Sequence, residues 1–171
     1  MNIMLKQGDN LHRENPTDSG ADLKAKGYQR VINDKLDKNI VWLEDGDDFF
    51  IAPNETILIK TGVHIELPDP EIVTKWGEEW LSVCEFNVRP RSGLSLKENV
   101  GAIFGTGDNC YRGDSGIIFK NDRDCNYRVV KDDRVGQLVL TEAVIPMKIN
   151  VVDKINEGSR GENGFGKSGK N

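Results

Sequence analysis

The hydrophobic residues of this chain fall mainly into short runs in which apolar and polar side chains alternate or β-branched residues cluster. Such runs are typical of β-strands, whose side chains point alternately to the two faces of a sheet. They predict strands at residues 56–60, 63–67, 81–88, 116–119, 134–141 and 147–152. Many short strands at close spacing favour an all-β fold, either a barrel or a jelly-roll-like sandwich.

Helical periodicity is weak along the whole chain. The sequence predicts one or two helical turns at residues 92–98 and around residues 71–80. In the second segment Trp76 and Trp80 lie four positions apart, which is the spacing of neighbours on one face of a helix. The ordinary interpretation of these tryptophans is core packing or the anchoring of a loop.

Size and charge limit the classes of function. The chain has 171 residues, a length that fits one domain with its own core. Its net charge of −5 argues against a nucleic-acid backbone as partner, because phosphate binding normally shows as a basic excess. A small anionic ligand stays possible, since it needs only a local cluster of cations. No apolar run is long enough for a membrane span, so we expect a cytoplasmic protein without a membrane partner.

The cysteines do not indicate a disulfide framework or a zinc site. Cys84, Cys110 and Cys125 are odd in number and lack CxxC spacing, and only His12 and His64 could join them. We therefore expect no metal bound directly by protein ligands.

Residues 89–94 (RPRSGL) follow a predicted strand and open a short helical stretch. The N–H groups at a helix N-terminus, together with the guanidinium of Arg91, suit phosphate oxygens. Alternatively, Ser92 caps the helix and Arg91 lies on a solvated face.

Residues 105–113 (GTGDNCYRG) predict a tight hairpin bracketed by glycines. The hairpin would present the carboxylate of Asp108 and, three residues later, the ring of Tyr111. A deprotonated aspartate is the simplest base for activating a water molecule. Taken alone, an ordinary β-turn with a solvated aspartate is the better interpretation.

Residues 132–138 (DDRVGQL) start a strand with an acidic pair and place Gln137 inside an apolar run. A glutamine in a buried strand needs hydrogen-bond partners. Gln137 is therefore either part of a structural network or a ligand contact.

Residues 159–169 (SRGENGFGKSG) lie in a glycine-rich tail. Residues 161–168 match the phosphate-binding pattern GxxxxGK[ST]. Such a loop requires a helix directly after it, and we expect none here because only three residues follow Ser168. Composition alone predicts a flexible tail. Its glycine N–H groups and cations could nevertheless wrap a triphosphate, and Phe165 could cover a base.

Taken in order, these segments and residues 18–23 (DSGADL) resemble the five motifs of the trimeric deoxyuridine triphosphatase family. The resemblance implies a jelly-roll-like β-barrel that hydrolyses dUTP to dUMP and pyrophosphate in the cytoplasm, or in the host cytoplasm if the chain is phage-encoded. It further implies a homotrimer with active sites shared between chains. Residues 1–157 would form the barrel, and residues 158–171 would be a C-terminal arm that completes a neighbouring site.

The resemblance also implies roles for individual residues. Asp108 would be the base that activates water for in-line attack on the α-phosphate, and Tyr111 would pack against the deoxyribose. Asp22 would act in the second shell of a Mg²⁺ ion carried by the triphosphate. The other implied substrate contacts are Arg91, Ser92, Gly93, Gly105, Gln137, Arg160, Phe165, Gly166, Lys167 and Ser168, with Phe165 capping the uracil.

This sequence departs from the family pattern in several places. Two of these positions, Gly107 and Cys110, lie in the base-reading turn. The family usually has an aliphatic residue where this chain has Gly107, and Asp or Gly where it has Cys110. Residues 27–47 and 69–80 exceed the family's minimal core, as insertions do in phage enzymes. We interpret them as surface loops, although a surface for a partner is also open.

Three further functions stay open. A dCTP deaminase shares the fold but lacks the Gly-Phe-Gly arm and uses a glutamate, so Phe165 and Asp108 favour the triphosphatase. The second is a triphosphatase with relaxed base specificity, and the third is a regulatory protein built on the same fold.

Overall fold

The computed structural model describes residues 4–5 and 11–156 of the chain, and these residues form an almost entirely β structure. Only one short helix interrupts the strands in this part, at Leu94–Glu98. The strands are β1 Met4–Leu5, β2 Gly20–Lys24, β3 Gly27–Gln29, β4 Val31–Ile32, β5 Lys35–Leu36, β6 Val41–Trp42, β7 Asp48–Ile51, β8 Thr56–Lys60, β9 Ile65–Glu66, β10 Glu71–Lys75, β11 Glu78–Arg89, β12 Val100–Ala102, β13 Gly105–Gly107, β14 Ile117–Asn121, β15 Tyr127–Val130 and β16 Arg134–Pro146.

Two five-stranded antiparallel sheets make up the body of the molecule. The first has the order β10-β11-β16-β2, with β13 also paired to β11. The second has the order β12-β14-β8-β3-β6. The all-β prediction is confirmed, and β8 has the same bounds as the strand predicted at residues 56–60.

The core lies between these sheets and is built by alternation along the strands. In β8 the buried apolar residues are Ile57 and Ile59, and in β14 they are Ile117 and Phe119. Leu138 of β16 belongs to the same buried cluster. Since alternate side chains of each strand enter this cluster, the residues between them, such as Leu58 and Ile118, are left on the outer face.

The longest pairing among the described strands joins β11 to β16. It runs without a break from Trp80 opposite Pro146 to Arg89 opposite Gln137. Strand β2 pairs with β16, and β13 pairs with the end of β11. The segments 18–23, 105–113 and 132–138 therefore contribute strands to one sheet.

The helical turns predicted around residues 71–80 are wrong. This segment forms a hairpin between β10 and β11 in which Lys75 lies opposite Glu78. The two turn residues have positive φ angles, 54° at Trp76 and 81° at Gly77, as the two-residue turns of twisted hairpins require. The spacing of the tryptophans instead brings Trp76 and Trp80 edge to face across the hairpin, with ring centroids 5.1 Å apart.

The strand predicted at residues 147–152 is also wrong. In the described residues, β16 ends at Pro146 and no strand follows it. Ile149 and Val151 are 80% and 96% exposed, so burial among the described residues does not explain the alternating apolar pattern there. The helical turn predicted at residues 92–98 is confirmed by the helix at Leu94–Glu98. Among the residues described, no helix is long and apolar enough to cross a membrane.

A fully buried asparagine joins the loops around β14. The side-chain amide of Asn121 donates to the carbonyl oxygens of Ile51 and Ala52 at 3.0 Å and of Cys125 at 2.9 Å. Its Oδ1 accepts from the N–H of Arg123 at 3.1 Å. One buried side chain thus satisfies backbone groups from two segments, residues 51–52 and residues 123–125.

We expect Asn121→Ala to lower the free energy of unfolding by about 3 kcal/mol, because buried carbonyl groups lose their donor. Urea unfolding followed by circular dichroism measures this change. Asn150→Ala, at an exposed position outside the strands, is the control and should stay close to wild type. A loss of the same size in both variants would contradict the role of Asn121.

Candidate active site

A cavity of about 300 Å³ is lined by residues of β11 and β13 and by Leu58, Lys60 and Ile118 of β8 and β14, which alternate with the core residues of those strands. This volume is at the lower end of the range typical of small-molecule sites. Its lining is Leu58, Lys60, Phe86, Val88, Ile103, Gly105, Thr106, Gly107, Asp108, Tyr111, Asp114, Ser115, Gly116 and Ile118. Most of these surfaces are apolar, with a few charged groups among them.

Asp108 and Tyr111 lie together on this cavity, at either end of one turn. The N–H of Tyr111 donates to the carbonyl of Asp108 at 3.0 Å, which closes the turn. Both side chains are exposed at the cavity. The predicted hairpin is wrong in its pairing, because β13 pairs with β11 and β14 pairs with β8 and β12.

Strand β13 and the turn are fixed to the body by two polar residues. Thr106 donates its hydroxyl to Oδ1 of Asn87, a buried residue of β11, at 2.8 Å. The amide of Asn109 donates to the carbonyls of Pro68 at 2.8 Å and of Cys84 at 3.1 Å. Asp108 lies between these anchors, so the backbone around its carboxylate is held on both sides.

The ring of Tyr111 is held against the backbone that follows it. Its hydroxyl donates to the carbonyl of Asp114 at 3.0 Å. A Cβ atom on Gly113 would lie 2.3 Å from the Tyr111 hydroxyl oxygen, so only glycine leaves room for the ring in this position.

An ion pair that the sequence did not indicate lies in the cavity wall. Lys60 Nζ is 3.5 Å from Oδ1 of Asp114, and their side chains are only 12% and 6% exposed. The same carboxylate accepts from the N–H groups of Gly62 at 2.6 Å and Thr61 at 3.3 Å. No local motif links β8 with the segment before β14, which is why sequence reasoning missed this pair.

A second polar cluster is centred on Asp22 in β2. Its carboxylate is buried, with Arg91 Nε at 3.4 Å and Arg134 Nη1 at 3.2 Å. Arg91 also donates from Nη1 to the carbonyl of Arg134 at 3.1 Å. Two arginines from different segments are thus oriented by one carboxylate.

Gln137 lies beside this cluster in β16. It is the register partner of Asp22 in β2 and of Arg89 in β11. A Cβ atom on Gly20 would lie 3.1 Å from Cβ and Cδ of Gln137, so the glutamine side chain crosses β2 at this glycine. Ser92 and Gly93 follow Arg91 at the start of the short helix and are exposed.

The structure therefore groups the candidate residues in two places. Asp108, Tyr111 and Gly105 line the cavity, whereas Asp22, Arg91 and Gln137 lie together at β2 and β16 of the sheet that also holds β13, and do not line the cavity. The candidates Arg160, Phe165, Gly166, Lys167 and Ser168 lie outside the described residues.

Phe86 is a further cavity residue that sequence reasoning did not single out. Its only signal was its place three residues before the RPRSGL segment, in the strand already predicted.

The described residues contain no group of three or more His, Cys, Asp or Glu side chains that could hold a metal ion.

Comparison with known proteins gives a consistent result. The dUTPase family model matches residues 82–169. The deoxyuridine 5'-triphosphate nucleotidohydrolase of Picosynechococcus sp. is 41% identical over 121 residues, which are 70% of this chain and 75% of that protein. The enzyme of the same name from Clostridium tetani is 36% identical over 126 residues, 72% of this chain and 77% of its own.

Solved structures share the fold. The Staphylococcus bacteriophage 80alpha dUTPase with dUPNHPP has a TM-score of 0.71 at 22% identity, with 98% of both chains covered. A mutant dUTPase from phage phi11 of S. aureus, whose structure describes a structural Mg(II) ion, has a TM-score of 0.59 at 17% identity, with 93% of this chain and 99% of that chain covered. The sequence matches and the shared fold agree: the chain belongs to the dUTPase family.

Proposed function

We propose that this protein hydrolyses dUTP to dUMP and pyrophosphate, with Asp108 as the base. The observation that carries the proposal is the pairing of the Asp108 carboxylate with the Tyr111 ring at an apolar cavity, in a chain of the dUTPase family. The cavity would take the nucleoside, and the exposed carboxylate would stay in contact with water.

The chemical step is a hydrolysis. The Asp108 carboxylate takes a proton from a water molecule whose oxygen forms a bond to the α-phosphorus. The bond from that phosphorus to the bridging oxygen breaks in line, and pyrophosphate leaves with the bridging oxygen. The anchors at Thr106 and Asn109 hold the carboxylate in place, so positioning supplies much of the rate.

Tyr111 would select the deoxyribose. Its ring is fixed by the hydroxyl bond to Asp114 and by the close approach to Gly113, so it cannot yield easily to a ribose 2′-hydroxyl. Selection against UTP follows from this rigidity.

The triphosphate would contact the cluster around Asp22. Arg91 offers a guanidinium already oriented by Asp22, and Ser92 and Gln137 add neutral donors beside it. These residues do not line the cavity of their own chain. We therefore propose a homotrimer in which one chain supplies the nucleoside cavity and another this phosphate cluster.

Magnesium would enter with the substrate. Because magnesium usually keeps several of its waters and binds substrate phosphates, the triphosphate would hold the ion. Bound there, it would neutralise charge on the triphosphate. Asp22 would lie near the waters around this ion, and its carboxylate is paired with Arg91 and Arg134.

Residues 158–171 would complete the site of a neighbouring chain. Phe165 and Gly166 would cover the uracil, and Arg160, Lys167 and Ser168 would bind phosphates. The enzyme would work in the cytoplasm.

Pyrophosphate release from dUTP, dCTP, dTTP and UTP with Mg²⁺ tests the proposal. We expect turnover of dUTP alone, and a fall of about a hundredfold or more in kcat for Asp108→Asn with nucleotide affinity kept. Asp124→Asn, at an exposed position outside the cavity, is the matched control. If no nucleotide releases pyrophosphate, the proposed function is rejected. A near-normal rate in Asp108→Asn would reject Asp108 as the general base.

A second experiment distinguishes whether Asp22 orients Arg91 or acts at the magnesium ion. We expect Asp22→Asn to lower kcat/KM for dUTP by about tenfold to a hundredfold through misplacement of Arg91. A double-mutant cycle with Arg91→Lys should then be non-additive, with the magnesium concentration at half-maximal rate unchanged. Additive losses with a shifted magnesium dependence would assign Asp22 to the metal instead.

Truncation after Gly158 tests the C-terminal arm. We expect unchanged thermal unfolding, since the described core ends before this point, and a loss of about a hundredfold in dUTP turnover. A truncation that removes only Lys170 and Asn171 is the control and should keep its activity. Full turnover in the longer truncation would show that the arm is not needed.

A further inference from the structure

Phe86 and Gly107 lie directly opposite each other in the sheet that borders the cavity. They are register partners between β11 and β13. Side chains of directly opposed residues project from the same face of a sheet and lie side by side. A side chain at position 107 would therefore compete with Phe86 for space.

The ring of Phe86 already fills that space. A Cβ atom on Gly107 would lie 2.0 Å from Cζ of Phe86, 2.3 Å from Cε1 and 2.4 Å from Cε2. These distances are far inside van der Waals contact, so the ring can keep its position only because residue 107 is glycine. Phe86 is also only 3% exposed, which fixes the ring against the β13 backbone.

The same ring forms part of the cavity wall. Phe86 lines the cavity together with Gly107, Asp108 and Tyr111. Its ring centroid is 6.5 Å from that of Tyr111, with the two planes inclined at 46°. Since Tyr111 is held by Asp114 and Gly113, the two rings form a rigid aromatic corner next to the carboxylate of Asp108.

We propose that Phe86 is a specificity-determining residue that sets the size of pyrimidine the cavity admits. This inference rests on the proposed function, dUTP hydrolysis. The ring narrows the cavity beside β13, the strand that leads into Asp108, so a base with an added methyl group would clash with a ring that is held in place. Gly107, which also lines the cavity, leaves the space that the ring occupies.

Phe86→Leu is the first test, because leucine keeps the apolar contact but lacks the outer ring atoms. We expect the preference for dUTP over dTTP, measured as the ratio of kcat/KM values, to fall by about tenfold or more, the scale of one methyl group in an apolar pocket. Phe49→Leu is the matched control. Phe49 is 5% exposed, stacks on Tyr28 with centroids 4.3 Å apart, and does not line the cavity.

Gly107→Ala gives a second test that does not depend on truncating the ring. The three atoms that an alanine Cβ would meet are Cζ, Cε1 and Cε2 of Phe86, and leucine has none of them. Gly107→Ala should therefore weaken nucleotide binding in the wild-type background and have little further effect in the Phe86→Leu background. Equal losses in the two backgrounds would overturn the inference.

Equilibrium binding of dUMP and dTMP by calorimetry separates this inference from the proposed function, because binding needs no hydrolysis. A wild type that binds dUMP over dTMP but releases no pyrophosphate from dUTP would reject the function, and the effect of Phe86→Leu on the two affinities would still decide the role of Phe86. A wild type that turns over dUTP, with both preferences unchanged in Phe86→Leu, would reject Phe86 alone. Binding of neither nucleotide would reject the cavity assignment and the inference with it.

Discussion

The register between β11 and β16 positions both halves of the candidate site. It sets Arg89 opposite Gln137 and leaves Phe86 and Val88 of β11 at the cavity, while the pairing of β16 with β2 sets Gln137 opposite Asp22. Because side chains alternate along a strand, a slip of one residue would exchange the cavity face and the outer face of β11. Strand β13 would then lose the partners that hold it, and Asp108 its anchored position. The long pairing beyond the cavity makes such a slip costly.

The buried carboxylate of Asp22 imposes a second constraint. An unpaired charge at this exposure would be strongly unfavourable, and two arginines compensate it. Asp22 in turn orients the guanidinium of Arg91, so this cation is in place before an anion binds. A cation that needs no rearrangement stabilises developing negative charge more effectively than a mobile one. The cluster therefore combines a folding requirement with the preparation of an anion site.

The sequence predicted the parts of the site that lie in local patterns. Asp108 and Tyr111 stand in one glycine-bracketed turn, and the strand at residues 56–60 follows from plain alternation. The hairpin at residues 71–80 was mistaken for helix because tryptophans four apart suit either structure, and its turn has a tryptophan where glycine or asparagine is usual. The Lys60–Asp114 pair depends on strands distant in the chain, so no local signal could reveal it. Gly107 was visible as a departure from the family pattern, but its partner Phe86 emerges only from the pairing register.

The contact between Phe86 and Gly107 also limits the order in which the two positions can change during evolution. A side chain cannot be added at position 107 while the phenylalanine ring stands in its place. The reverse order, a smaller residue at position 86 first, leaves only a partly empty wall, which a protein tolerates more readily than a clash. The viable path between the two arrangements therefore passes through the variant in which both residues are small. The two positions should accordingly covary among relatives, with a large side chain at one or at the other.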